Sequence, residues 1–476
     1  MKNFIYLFIL PLSVNLFAQT PTQAIHALPE QRFNISDTIL STNQPSPSIT
    51  PASTNSVPAL SEQDLLANPP LLYRALSSSV VFNNIVAIRQ LLPLYLSLPS
   101  KQQVNDALLV ESAKAALALA DGQYQQAVHH YRQVLAINPN LPTMRLLLAQ
   151  ALFHDYQNDA AQDQFIRLRS EPNLPAHIVQ LIESYQTALN ERQQWRISGG
   201  ISYIQDNNVN NAANATLKTT NGYWRSPKPE RAQGLSYHVH AERDWAIKHH
   251  FALRTGVQLS GKFYWNNHSY DDLSTRINIG GVYKTARTEF AVLPYFERRW
   301  YGTEPYSREQ GLRGEWSYWL SPRNKTLLAI EKGHAQYDHR NYLNGNNLTV
   351  SGSWLFLQKP TQYWIMGADY SRKNAQDNSL AFERQALRLG WTREWKWGLS
   401  SSVYTTMASH RYQHADIFNI QRHDKELSAS LSLWHRNIHF WGITPRLVGT
   451  YHKNRSNNPL YQYQKNNVFM QFNKVF

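Results

Sequence analysis

Cysteine does not occur anywhere in the 476 residues. Its absence excludes a disulfide framework, thiolate metal sites and an N-terminal lipid anchor. Long apolar runs are missing beyond the first twenty residues, so no helix is expected to span a membrane. Charge is sparse at 17%, yet mean hydropathy is −0.50. The polarity comes from Asn, Gln, Ser, Thr, Tyr and His, a mix suited to a wet, hydrogen-bonding surface. Acids are outnumbered, 33 against 47 Lys and Arg, for a net charge of +14. Of the 47 basic residues, 36 lie from Trp195 onward, so the excess belongs to the C-terminal part. It can face an interior or an anionic lipid surface. No nucleic-acid-binding motif accompanies it, and nucleic acid is not expected as a partner.

The opening MKNFIYLFILPLSVNLFAQT reads as a secretory signal: Lys2, an apolar run over 4–17, then a cut after Ala18. The run is shorter than the roughly 20 residues a spanning helix needs. Residues 1–18 are therefore expected to be removed and the mature chain to leave the cytoplasm. Residues 19–60 are rich in Pro, Ser, Thr and Asn and are expected to form a disordered tether.

Residues 61–190 carry helical periodicity. Within LLVESAKAALALADGQYQQAVHHYRQVLAINPN, residues 108–140, small residues (Ala115, Ala127) let two antiparallel helices approach closely. Gly122 turns between them, Tyr124 and Tyr131 fill the gap, and Pro139 stops the second helix. Ala149, Ala161, Phe165 and Leu168 repeat the spacing, with Tyr156-Gln157-Asn158 in place of the glycine turn. This is the pattern of a tetratricopeptide (TPR)-like repeat of about 34 residues. A degenerate pair over 62–98 and a closing helix over 175–190 are expected to flank it. Stacked repeats present a concave groove that suits a peptide or protein.

At Trp195 the period changes to two. In HHFALRTGVQLSGKFYW, residues 249–265, Phe251, Leu253, Val257, Leu259, Phe263 and Trp265 share one face, and Arg254, Gln258 and Lys262 the other. About fourteen such segments follow one another to residue 476, separated by alternating long and short polar turns. The polar faces, with Arg276, Asn278 and Lys284 in one segment and Arg388 and Glu394 in another, are too charged for a dry core. The strand ends are rich in Trp and Tyr, expected as girdles at both rims. The C-terminal alternation Val468, Met470, Phe472, Phe476, broken by Lys474, reads as a barrel insertion signal. The fold class is therefore α plus membrane β: a helical repeat domain over 61–190, then a transmembrane barrel of antiparallel strands over 195–476.

Catalytic chemistry finds little support. WNNHSYDD, residues 265–272, holds Asn, His, Ser and Asp, but adjacency in a polar loop is not a triad. No HExxH, phosphate-binding glycine loop or dinucleotide fingerprint occurs. His410 and His414 are placed in a strand end or loop, and His129-His130 on a solvated helix face. No catalytic residue, cofactor or metal is expected.

The repeat from Ala115 to Pro139, the barrel from WRISGGISYIQDNNVNNA onward, and the strand texts GLSYHVHAERDW and RINIGGVYK together resemble the surface lipoprotein assembly modulator (Slam) family, also called type XI secretion. The resemblance covers nearly all of the mature chain. It implies a Gram-negative outer-membrane translocator with its repeat domain in the periplasm, whose cargo is a surface lipoprotein or a related soluble haem-acquisition protein. It also implies outer-membrane lipid and lipopolysaccharide, barrel assembly machinery and periplasmic chaperones as partners. In such a role, the repeat domain with Tyr124 and Tyr131 would hold cargo, and Arg254, Gln258, Lys262, Arg276, Lys284 and Arg388 would line its path. The residues alone leave polysaccharide export and a solute porin or receptor open.

Overall fold

The computed structural model describes residues 61–99, 106–172, 174–219 and 222–475. The expected signal peptide, the tether and Phe476 lie outside the described residues. Eight helices come first: α1 (Glu62–Ala67), α2 (Pro69–Val81), α3 (Ile85–Ser97), α4 (Ala107–Ala120), α5 (Tyr124–Ile137), α6 (Pro142–His154), α7 (Asn158–Arg169) and α8 (Ala176–Arg192). They pack as antiparallel pairs. Ala115, Ala127, Tyr131, Ala149, Ala161, Phe165 and Leu168 all have no solvent exposure, so the 34-residue spacing in the sequence is the spacing of the packed seam. Asn68, Asn84 and Asp106 cap α2, α3 and α4 through their side-chain oxygens.

The turns inside the three pairs share one geometry. Asn83, Gly122 and Tyr156 all have positive φ, at 50°, 67° and 61°. In each, the next residue donates back to the preceding helix: Asn84 to Ser79, Gln123 to Ala118, Gln157 to Leu152. This is a Schellman close, which glycine adopts without strain and tyrosine does not. Tyr156 holds that conformation for a reason that lies outside its own repeat, as shown below.

Sixteen strands follow: β1 (Arg196–Asp206), β2 (Thr216–Thr219), β3 (Gly222–Arg225), β4 (Ala232–Lys248), β5 (Phe251–Tyr264), β6 (Asp272–Lys284), β7 (Thr288–Tyr301), β8 (Glu304–Ser321), β9 (Asn324–Tyr337), β10 (Gly345–Lys359), β11 (Gln362–Lys373), β12 (Phe382–Glu394), β13 (Leu399–Ala415), β14 (Gln421–His435), β15 (Ile443–Ser456) and β16 (Tyr463–Val475). β2 and β3 form a separate hairpin; the other fourteen close into an antiparallel barrel, with β1 between β16 and β4. Among the described residues, no helix is long and apolar enough to cross a membrane. The strands are what cross it: Val257, Ile277, Ile279, Leu312, Ile330, Leu387 and Leu447 form an exposed apolar outer face.

At the end nearest the helical domain most turns are short, as at 249–250, 322–323 and 360–361, with the seven-residue turn 436–442 standing apart; at the far end they are mostly longer, with 207–231 the longest. The exception is the far-end turn Gly302-Thr303, two residues at φ 60° and 70°, the type I′ geometry that matches strand twist. The tryptophans depart from the expected two girdles. Eleven of the 14 lie in the helical-domain half of the barrel; only Trp224, Trp265 and Trp300 lie at the far end, where Tyr203, Tyr270, Tyr301, Tyr306 and Tyr337 gather instead.

Candidate functional site

The barrel interior is built from alternate residues of every strand, and its charges are mostly paired. Three cations and three carboxylates meet at the helical-domain end. Arg196 reaches Glu242 at 2.6 Å and Asp244 at 3.3 Å. Arg254 reaches Asp244 at 2.7 Å and Glu289 at 2.8 Å, and Lys284 reaches Glu289 at 3.4 Å. Nearer mid-barrel, Arg276 on β6 crosses to Glu331 on β9 at 2.8 Å while Arg313 takes the same carboxylate at 3.0 Å. The Arg276 guanidinium lies 3.6 Å over the Tyr295 ring. Tyr295 lies in register with Gly311 and Gly333 on the next two strands. A Cβ at Gly333 would collide with the Tyr295 hydroxyl and the Glu309 carboxylate, so these glycines make room for the ring. Further round, Arg388 binds Asp369 through two bonds of 2.6 and 2.8 Å and donates to Ser353 at 3.0 Å.

Of the six interior residues singled out from sequence, Arg254, Arg276, Lys284 and Arg388 are thus committed to carboxylates. Gln258 and Lys262 face the interior exposed, and neither makes an ion pair among the described residues. The pairings meet the cost of gathering cations inside a barrel. In the repeat domain, Tyr124 stacks on His154 at 5.1 Å. Tyr131 is wholly buried, with its hydroxyl unpartnered and its ionisation pushed up by burial.

The structure decides one histidine assignment and corrects another. His410 is not a loop residue: it sits within β13, buried, with its ring 3.1 Å from Glu426 and 3.2 Å from the Arg384 Nε. His130 is half-buried, 2.5 Å from Glu111, rather than solvated. Among the described residues no group of His, Asp and Glu has the geometry of a metal site. WNNHSYDD forms a tight turn in which Asp271 accepts from the Tyr264 backbone N–H at 2.7 Å, and Asp272 pairs with Arg299 at 2.8 Å.

The two domains are joined through the strained repeat turn. Asp155, buried, accepts from Gln157 at 2.9 Å and lies 3.4 Å from His250 in the β4–β5 turn. His250 Nδ1 lies 3.0 Å from the Lys284 carbonyl. The Tyr156 ring is the platform between the two sides: the Lys284 ammonium sits 4.9 Å above it, and Arg192 at the end of α8 lies 4.4 Å from it. Arg192 also donates to the Phe153 carbonyl at 2.8 Å and to Asn158 at 3.0 Å. A glycine here would relax the backbone and lose the ring. Burial pushes the Asp155 carboxyl up, with Gln157 and His250 pulling it down. Burial and Arg192 hold the His154 imidazole down at about 4.

The barrel also has one incomplete seam. β1 pairs with β4 along its whole length, Arg196–Asp206, but with β16 only over Ser198–Ser202 against Gln471–Val475. Beyond Ser202, toward the far end, the backbone ladder stops. Side chains take over: Lys465 reaches Asp206 at 3.1 Å, and the Asn467 amide, oriented to satisfy both its ends, donates to the Gln205 carbonyl at 3.1 Å.

This architecture agrees with the comparisons. Residues 195–476 match the family model described as surface lipoprotein assembly modifier, and 58–165 match that of its N-terminal TPR repeats. The chain belongs to the surface lipoprotein assembly modifier family. It is 38% identical to surface lipoprotein assembly modifier 1 of Haemophilus influenzae, over 98% of this chain and 99% of that one. It is 38% identical to surface lipoprotein assembly modifier 1 of Neisseria meningitidis, over 87% and 84%. It is also similar to the hemophilin secretion modulator of Acinetobacter baumannii, 25% identical over 79% and 80%. Membership of the surface lipoprotein assembly modifier family, with a closed fourteen-strand barrel, makes this an outer-membrane protein.

Proposed function

We propose that the chain is an outer-membrane translocator that delivers specific surface lipoproteins, or related soluble haem-acquisition proteins, to the cell surface, and that it is not an enzyme. The observation that carries this reading is the docking of a protein-binding repeat domain on one mouth of the barrel through Asp155, Tyr156 and His250. A solute pore has no use for such a domain. The helical domain stands in the periplasm and receives cargo from chaperones; the barrel assembly machinery inserts the barrel, reading Phe472 and Phe476. Tyr124 and Tyr131 belong to the cargo-holding domain. Arg254, Gln258, Lys262, Arg276, Lys284 and Arg388 line the route, and the exposure of Gln258 and Lys262 favours these two as direct contacts. Cargo folding outside gives the process direction without nucleotide. Lipidated cargo needs a lateral exit for its acyl chains, and the half-paired β1–β16 seam is the site with the weakest backbone closure.

The test is deletion of the gene, followed by comparison of surface-shaved, periplasmic and released proteins. One or two lipoproteins should leave the surface, or a soluble protein the medium, at constant total level. An unchanged protein profile with loss of a polysaccharide, or with loss of solute uptake, would refute the reading.

A further inference from the structure

On the outer wall of the barrel, at the end away from the helical domain, strands β13, β14 and β15 turn basic side chains outward together. Lys425 lies directly opposite Arg455, and Leu427 directly opposite Lys453. Arg411 lies opposite His423. Directly opposed residues on one sheet face have Cβ atoms about 5 Å apart, so like charges there repel unless an anion lies between them. Lys425, Arg455 and Arg411 are exposed and Lys453 is half-exposed. None of the four has an ion-pair partner among the described residues. The acids adjacent in sequence point the other way. Asp424 and Glu426 are buried on the inner face, spent on Arg422 and on His410 with Arg384. The outward carboxylate at the border is Glu383, opposite Arg411 on β12. The centre of the patch is therefore Lys425, Lys453 and Arg455.

What lies below the patch identifies its occupant. Met407, Leu431 and Leu447 continue the same outward face toward the barrel's middle, exposed, with Leu427 half-buried among them. A soluble anion would use only the cations, and a protein or nucleic acid has no access to the apolar band beneath them. An amphiphile with phosphate at one end and acyl chains at the other matches both. We propose that Lys425, Lys453 and Arg455 form a binding site for the phosphate of an anionic lipid in the outer leaflet. The inference rests on the orientation proposed above, with the helical domain on the periplasmic side. The site lies one strand from the half-paired seam: Lys453 is directly opposite Gln464 of β16. A lipid held there would border the proposed lateral exit.

The test uses the full chain purified in neutral detergent, with lipid A and its dephosphorylated form as probes and native mass spectrometry as the readout. Wild type should retain lipid A and not the dephosphorylated form. Inorganic phosphate at millimolar concentration should not displace it. The triple variant Lys425→Ser, Lys453→Ser, Arg455→Ser should bind about 100-fold more weakly, since each cation contributes about fivefold near an anionic surface. The charge-keeping variant Lys425→Arg, Lys453→Arg, Arg455→Lys should retain the lipid. Heat-modifiable migration on gels reports that each barrel is folded; if the triple variant does not fold, Lys425→Gln alone should give about a fivefold loss. Equal retention by folded serine or glutamine variants, or equal binding of dephosphorylated lipid A, would overturn the site. Displacement by inorganic phosphate would overturn the lipid as its occupant. A tag in the 207–231 loop, probed on intact cells, tests the orientation separately: a tag unreachable from outside sinks the orientation whatever the binding result.

Discussion

Sealing the β1–β16 seam should stop the display of lipidated cargo. A ladder bond contributes about 1 kcal/mol net. The five residue pairs from Ser198 to Ser202 therefore hold the seam by on the order of 5 kcal/mol, against roughly twice that for the eleven pairs joining β1 to β4. Where lumen water replaces the lost bonds, an opening cost of that size allows a transient gap, while each group left facing hydrocarbon adds several kcal/mol. Ser202 faces Gln471 across this seam and Ser236 across the neighbouring one. Directly opposed antiparallel residues have Cα atoms about 4.5 or 5.5 Å apart, and both spacings suit a disulfide. The chain has no cysteine of its own to interfere. Ser202→Cys with Gln471→Cys should form a bond that cuts surface lipoprotein, measured by flow cytometry on intact cells, at least tenfold, with recovery on reduction. Ser202→Cys with Ser236→Cys should crosslink equally and leave display unchanged. Full display with a quantitatively formed β1–β16 crosslink would refute the lateral exit.

Other predictions concern the domain junction and the interior. Asp155→Ala should loosen the helical domain from the barrel by about 1–3 kcal/mol, by loss of a buried partner; trypsin cleavage after Arg192, now covered by Phe153 and Tyr156, should accelerate about tenfold or more. Gly333→Val should cost about 1–3 kcal/mol through collision with Tyr295 and Glu309, read as a lower urea midpoint for the barrel. Burial and Arg192 hold the His154 imidazole at about 4 in the folded chain, against an ordinary value of about 6.5. Because the unfolded chain binds the proton more readily, stability is full above pH 6.5 and falls by up to about 3 kcal/mol as the pH drops toward 4. His154→Phe should flatten that part of the pH profile of helical-domain melting.

Much of this fold was legible because each half has a strong period. The 34-residue recurrence from Ala115, Ala127 and Tyr131 to Ala149, Ala161 and Phe165 is the recurrence of helix contacts, and every one of those residues is buried. Strict alternation put Arg254 and Phe251 on opposite walls. What alternation cannot carry is the partner. Arg276 and Glu331 are 55 residues apart and meet across two intervening strands, so the sequence shows two inward charges but not a pair. His410 was left between strand end and loop, and its pairing with Glu426 from the next strand was hidden for the same reason. The missing half of the seam depends on how the first and last strands meet, which the alternation of neither strand carries. Tyr156 was read as a substitute turn residue. The purpose of its strain appears only with Lys284 of the barrel above its ring.

The uneven distribution of indoles has a mechanical meaning. A barrel through which a protein is drawn experiences a force along its axis, directed outward as cargo folds beyond the membrane. Trp245, Trp316, Trp395, Trp397 and Trp441 project at the helical-domain rim, and indole resists leaving the membrane–water boundary in either direction. Under the proposed orientation and mechanism they would act as a flange on the inner side, the side that must not be pulled through. In the proposed orientation, indole anchoring is heaviest at the end that bears the load.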